Sequence, residues 1–352
     1  MADRAVIGWD IGGAHVKACL TRHGLVHDAA QWPCPLWQGA EHLDRVLALA
    51  RERWPDLADS HHAVTMTGEM VDRFAHREDG VQRIAEQLAS ALDAPQFFAG
   101  DAGWCEALAA AALWPQIASA NWLASARHTA CALPSESGLL VDIGSTTTDL
   151  IAFHRGAVTT PSRSDAQRLA SGELVYHGVV RTPLCAVARR INWRGEQLNV
   201  MNEFFATTAD VYRLTGELNP AHDQQPSADH AAKDLTATRA RLARMIGLDA
   251  RDASAEQWLA FALEWRAQQV AELAGQLARV SAALGLSAPA LLVGAGCGAF
   301  LLPELAPPGW RCLSYGRDIV RPAAQARPGT LQWAEVCAPS VAVAALFDRD
   351  RL

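Results

Sequence analysis

The chain predicts an α/β fold with a duplicated core, and three observations carry that reading. Residues 5–20 run as an apolar strand, an Asp10-Ile-Gly turn and a second alternating strand. Residues 139–153 repeat the plan around Asp142-Ile-Gly, and in both copies a polar residue follows seven positions after the Asp, Lys17 in the first and Asp149 in the second. Between and beyond the copies, strand-like runs alternate with helical spacing, the pattern of layered α/β structure.

In chain order, 43–53 and 81–92 carry helical spacing, and 63–68 reads as a short strand ending in a Gly turn. Residues 174–180 are strand-like, Thr182-Pro183 marks a turn, and 203–214 fits neither period. The polar stretch 219–229, with two prolines, is expected to be a mobile loop. From 255 to 284, apolar residues recur at three- and four-residue intervals (Leu259, Leu263, Val270, Leu273, Leu277), predicting one long helix stopped by Gly285. An apolar strand at 290–293 leads into Gly294-Ala-Gly-Cys-Gly298, and 340–347 is an apolar helix expected to pack back on the N-terminal part.

With 352 residues, half of them apolar, the chain can bury an ordinary core without staples. Its eight cysteines form no C-x-x-C pair, which excludes zinc knuckles and thioredoxin-type motifs and fits a reducing compartment. A net charge of -7 argues against a nucleic-acid surface. The first residues lack the order of a secretory signal. Two charge-free stretches, 107–126 and 280–303, approach membrane-spanning length, but Pro115 and Asn121 break the first, and Gly285, Pro289 and the glycines from Gly294 break the second. The expectation is a cytoplasmic protein with neither membrane nor nucleic-acid partners.

A strand that stops at an Asp and turns through Gly sets one carboxylate beside backbone N–H groups, which suits a magnesium-bound phosphate. Asp10 and Asp142 are therefore the metal candidates. Gly12, Gly13 and Gly144 permit close approach of the anion, Ser145, Thr146 and Thr147 add hydroxyl donors, and Lys17 is either a phosphate contact or a solvated strand-edge lysine. The late loop of Gly294, Gly296 and Gly298 is neither a Walker loop nor a dinucleotide fingerprint. Glu69, after the Gly68 turn, reads as a base, a metal ligand or a plain helix-start acid. Arg181 reads as a diphosphate clamp or a surface arginine. Arg241 and Arg244 read best as a solvated helix face. No H-E-x-x-H occurs, so zinc is not indicated.

The early, middle and late loops resemble the first phosphate, second phosphate and adenosine segments of the actin/heat-shock-chaperone/sugar-kinase superfamily. This likeness implies an actin-like ATPase, ribonuclease H-like fold with two lobes around a cleft: 1–125, 126–335, and a C-terminal helix at 336–352 packing on the first lobe. Further segments, Thr65-Met-Thr-Gly-Glu-Met70, Ala118-Ser-Ala-Asn-Trp122, Ser171-Gly-Glu-Leu-Val-Tyr176, Arg181-Thr-Pro183 and Asn202-Glu-Phe-Phe-Ala-Thr207, resemble the hydantoinase/oxoprolinase-like proteins of tetrahydromethanopterin-linked one-carbon transfer. That resemblance implies a transferase of methylofuran biosynthesis, joining a furanmethyl diphosphate to the phenol oxygen of a tyramine or tyrosine derivative with release of pyrophosphate. Magnesium at Asp10 and Asp142 would neutralise the leaving group. Glu69, Glu173 and Asp149 are the candidates for the base that takes the phenolic proton, whose reference pKa is about 10. The alternatives are an ATP-dependent kinase or a hydantoinase-type hydrolase of the same fold, with the Gly294–Gly298 loop holding ATP, and a nucleotide-dependent regulatory module.

Overall fold

A computed structural model of the chain describes residues 4–286 and 290–351. Residues 287–289, with the Pro289 break, lie outside the described residues. The chain divides into two compact units. The first comprises Met1–Leu140, Ile151–Arg168 and Leu313–Leu352, the second Val141–Leu150 and Leu169–Cys312.

The first unit is built on a six-stranded sheet of β1 (Val6–Ile11), β2 (His15–Arg22), β3 (Leu25–Pro33), β4 (His61–Met66), β5 (Gln96–Phe98) and β6 (Trp104–Glu106), in the order β3-β2-β1-β4-β5-β6. All six residues of β1 are buried, because both faces of the sheet are covered. The period of two sends Ile7, Trp9 and Ile11 into a core with Leu43, Leu47, Val81, Ile84 and Leu88 of the helices Glu41–Arg53 and Arg77–Ala91. Gly8 and Asp10 alternate to the opposite face. There the helix Ala338–Asp350 comes so close that a Cβ on Gly8 would lie 1.9 Å from the Ser340 carbonyl oxygen.

A second sheet, ordered β10-β8-β7-β13-β14, consists of β7 (Ser137–Ile143), β8 (Thr148–His154), β10 (Leu174–Val175), β13 (Leu291–Ala295) and β14 (Arg311–Ser314); Val141–Ile143, Thr148–Leu150, β10 and β13 belong to the second unit. The short β9 (Ala157–Val158) pairs with the end of β8, and β11 (Arg190–Trp193) and β12 (Glu196–Asn199) form a separate hairpin. The neighbour order β8-β7-β13 matches β2-β1-β4 of the first unit, so the repeated Asp-Ile-Gly motif sits at the same point of both sheets. The helix Ala255–Ala283 starts at a Ser254–Gln257 capping box and lays Trp258, Phe261 and Trp265 into a second core, where Trp193 stacks on Trp258 at 4.7 Å.

Three sequence expectations change here. The strand-like 174–180 run is strand only at Leu174–Val175, because the chain then leaves the sheet to pack Gly178 against Ser145 and Thr146. The expected mobile loop at 219–229 is anchored by ion pairs: Asp223 with Arg213 and Lys233, and Asp229 with Arg241 and Arg244. Arg241 is not on a solvated face but fully buried, its Nε 2.8 Å from Asp210 Oδ1, because Asp210 and Asp229 supply the counter-charge that burial demands. No single helix among the described residues is long and apolar enough to cross a membrane.

Candidate active site

In the first unit, the parallel pairing of β1 with β4 brings their C-terminal ends together, with Asp10 beside Thr65 and Ile11 beside Met66. Such strand ends are where α/β sheets hold ligands. The Thr67 amide donates to the Ile11 carbonyl at 2.9 Å, so the Thr67-Gly68-Glu69 turn lies against the end of β1. Gly68 and Gly80 make that packing tight. A Cβ on Gly80 would meet the Glu69 backbone at 2.7 Å.

Glu69 is 1% exposed. Its Oε1 accepts hydrogen bonds from Ser119 Oγ at 2.8 Å and Arg77 Nη2 at 3.1 Å, whereas Oε2 has no hydrogen-bond partner among the described residues. Burial pushes its carboxyl above the ordinary glutamate range, and Arg77 and Ser119 only partly oppose that. Arg77 also reaches Asp165 at 3.3 Å. Arg168 approaches the same carboxylate at 3.7 Å and lies 4.6 Å over the Trp122 ring. Ser119 holds a left-handed backbone (φ 51°), a conformation that costs energy in a non-glycine residue and clusters at functional sites.

Lys17 stands directly opposite Asp10 in the antiparallel β1–β2 register and is half-buried in an internal strand, which removes the solvated strand-edge reading. Gly12 and Gly13 form the hairpin turn. The Gly12 amide donates to the His15 carbonyl at 3.0 Å, and in the second unit the Gly144 amide donates to the Thr147 carbonyl at 2.8 Å. These two amides close their own turns. They are therefore not among the amides that could meet a phosphate, and hydroxyl and guanidinium groups are the donors that side chains can offer.

The second unit gathers those donors around the Asp142 turn. The amides of Val180 and Arg181 donate to the Ser145 carbonyl, which folds 177–182 over the loop, and Arg181 Nη1 lies 3.4 Å from Thr146 Oγ1. Ser145, Thr146, Thr147 and Arg181 thus sit together. Burial lowers the Arg181 pKa from the ordinary arginine value. Gly178 is held by Thr208 and Gln269, both donating to its carbonyl, and a Cβ there would stand 2.3 Å from the Thr146 nitrogen.

The late glycine loop meets the same turn. Gly296 (φ 82°) could carry no side chain, since its Cβ would lie 2.3 Å from the Ile143 carbonyl oxygen and 2.5 Å from Asp142 Oδ1. The Gly298 amide donates to Ile143 at 2.8 Å, while a Cβ on Gly294 would strike Leu302. Gly296 and Gly298 therefore serve close packing against the Asp142-Ile143 strand end, and Gly294 packs on Leu302. Asp149 on β8 pairs with Leu174 of β10, and Glu173 immediately precedes that strand; Glu173 is buried and accepts from Ser171 at 2.8 Å.

Among the described residues no group of three or more His, Cys, Asp or Glu could cage a metal. Magnesium needs no cage: one or two carboxylates suffice when substrate phosphate and water fill the remaining positions. The strand-end Asp10 and Asp142, with hard oxygen donors and hydroxyls beside Asp142, fit that donor chemistry. The residues that sequence reasoning missed are Arg77, Asp165 and Arg168. Arg77 bonds Glu69 directly, Asp165 reaches Arg77, and Arg168 reaches Asp165; none belongs to a motif, and only Ser119 fell within a recognised segment.

Comparison with known proteins agrees with this architecture. Two synthases named (4-{4-[2-(gamma-L-glutamylamino)ethyl]phenoxymethyl}furan-2-yl)methanamine synthase are similar to the chain. The Methanocaldococcus jannaschii protein is 29% identical over 258 residues, 73% of this chain and 76% of that protein. The Methanococcus vannielii protein is 30% identical over 127 residues, 36% of this chain and 57% of that protein. A nucleotide-free acetone carboxylase structure matches over 97% of this chain and 70% of its own, with a TM-score of 0.54 at 13% identity, a likeness of fold. The chain thus shares the α/β fold of that carboxylase structure, and the synthase relatives support an enzyme. The family model for hydantoinase/oxoprolinase spans residues 60–317, from the strand before Glu69 past the glycine loop around Asp142, and the chain belongs to that family.

Proposed function

We propose that the chain is a transferase of methylofuran biosynthesis, joining a furanmethyl diphosphate to the phenol oxygen of a tyramine or tyrosine derivative. The observation that carries this reading is the 29% identity to the Methanocaldococcus synthase, whose name describes a phenoxymethyl-furan ether. That ether is the bond such a transfer makes. A phenol-oxygen lone pair forms the new C–O bond to the furanmethyl carbon, the old C–O bond breaks with its electrons leaving on pyrophosphate, and the phenolic proton passes to a carboxylate.

Glu69 is the base this reading selects. Its unpartnered oxygen can accept a proton, and its raised pKa brings it nearer to the phenol it must deprotonate. Arg77 and Ser119 hold the other oxygen and so fix the carboxylate's orientation. Asp149 and the Ser171-bound Glu173 are the alternative bases. Arg181 with Ser145, Thr146 and Thr147 suits the diphosphate, a guanidinium being matched to phosphate oxygens. Asp142, beside those hydroxyls, would hold magnesium, which when bound neutralises developing charge on the leaving diphosphate, and Asp10 is the corresponding strand-end carboxylate of the first unit. The ATP-dependent kinase, hydrolase and regulatory readings rest on the fold alone.

The test is incubation of the purified protein and magnesium with furanmethyl diphosphate and tyrosine, tyramine or their γ-glutamyl forms, with mass spectrometry for the ether and an assay for pyrophosphate. One acceptor should yield both products in equal amounts. Failure of every phenol to yield an ether would sink the proposal.

A further inference from the structure

A cavity in the first unit is chemically unlike the strand-end site. It has a volume of about 420 Å³, within the range of small-molecule sites, and its wall includes Arg127, Arg163, Arg349, Asp101 and Cys131. Arg127 and Cys131 lie four apart on the helix Asn121–Ala132 and so share one face. Arg163 follows β9, and Arg349 comes from the end of the helix Ala338–Asp350. Four separate chain segments, counting Asp101, supply the wall.

The charges there do not balance. Arg127 and Arg163 both pair with Asp101, the latter at 2.9 Å. Arg349 pairs with Asp350 at 2.8 Å, and that carboxylate also accepts from Trp104. Three guanidinium groups are thus served by two carboxylates. The Arg127 guanidinium is held below the ordinary arginine range, by burial first and by Arg163 and Arg349 besides, against the opposing pull of Asp101. Arg349 Nη1 also lies 2.7 Å from Cys131 Sγ, which places an exposed thiol on the cationic wall.

We propose that this cavity binds a small, multiply charged organic oxyanion, a phosphate ester or polycarboxylate, through Arg127, Arg163 and Arg349, with Cys131 against the bound molecule. Guanidinium forks match carboxylate and phosphate oxygens equally well, so the wall selects charge and bidentate geometry. The cavity is larger than one inorganic oxyanion fills, which leaves space for a carbon skeleton. Neither the synthase reading nor its site residues enter this argument.

Cys131 is the reporter for the test. Site-resolved mass spectrometry follows its alkylation by neutral iodoacetamide with glycerol phosphate, citrate, pyrophosphate, or sodium chloride at matched ionic strength. The exposed Cys312 serves as internal control. An anion at ten times its dissociation constant slows Cys131 about tenfold by occupancy while Cys312 is unchanged. Arg163→Gln and Arg349→Gln should each abolish that protection, measured as the ratio with and without anion, whereas Arg181→Ala should keep it. Protection by glycerol phosphate identifies a phosphate-ester site, and protection by citrate a polycarboxylate site. Equal labelling with every anion and with chloride overturns the proposal, as does protection that survives both arginine substitutions or disappears in Arg181→Ala.

Discussion

Glu69 shows how much one buried carboxylate can decide. Its pKa is raised in the folded chain, so the native state binds this proton more tightly than the unfolded state does. The group's contribution to stability is therefore complete below the ordinary glutamate range and declines as pH rises through the raised value. Glu69→Gln removes the titration. Its melting temperature relative to the parent should rise with pH across that window, and ether formation should fall by 10²-fold or more, roughly the contribution of a general base. A variant with full turnover would remove Glu69 from the chemistry. His62 and His128 titrate with the opposite sign, because burial first of all pushes each down to about 4. His62 accepts from Trp9 Nε1 and His128 lies 2.7 Å from the Tyr315 hydroxyl, so both are held neutral. Their stabilisation is complete above about pH 6.5 and is lost towards pH 4, at about 1.4 kcal/mol per pH unit for each. Urea midpoints across that range check this, and His62→Gln should flatten the slope.

Elements here are placed by missing side chains as much as by present ones. Gly8 lets the helix Ala338–Asp350 sit on β1, and Gly296 lets the late loop close on Asp142. Gly8→Ala should destabilise the protein by at least about 1–3 kcal/mol, since the clash is with backbone on both sides. Gly296→Ala adds strain at a positive φ and displaces Asp142, so activity should fall further than the denaturation midpoint indicates. If Gly296→Ala keeps parental turnover, the loop does not position Asp142. The buried Arg241 ties three segments together through Asp210 and Asp229. Arg241→Ala should cost up to about 3–5 kcal/mol by removing one of the two guanidinium groups that neutralise the buried Asp210. A denaturation midpoint near that of the parent would show that Arg213 alone can hold that carboxylate.

At the level of the whole molecule, the chain passes between its two units four times, so neither unit is one continuous segment. Ligand linkage should tell the function classes apart. Magnesium with pyrophosphate should raise the melting temperature more than magnesium with ATP, and stabilisation by ATP alone would favour the kinase or regulatory readings. Much of this architecture was legible in the sequence, because the features that announce it are local. A strand that ends at Asp-Ile-Gly and a stop at Gly285 are each decided within a few residues, and the long helix Ala255–Ala283 was foreseen, although its buried face runs through Trp258, Phe261 and Trp265 while Leu259 and Leu263 of the expected face are exposed. So was the list of glycines, although not their purpose: Gly12 and Gly144 spend their amides on their own turns, and Gly296 exists for Asp142. What the sequence could not disclose depends on distant residues meeting. Ser119, Arg77 and Asp165 gather about Glu69 from positions up to 96 residues apart in number, and Arg241 is buried because two aspartates on other segments neutralise it. By itself the sequence determined the repeated strand-and-turn framework and the candidate carboxylates. Only the tertiary structure decided which charges are buried and partnered, because burial and electrostatic pairing depend on neighbours in space and carry no period along the chain.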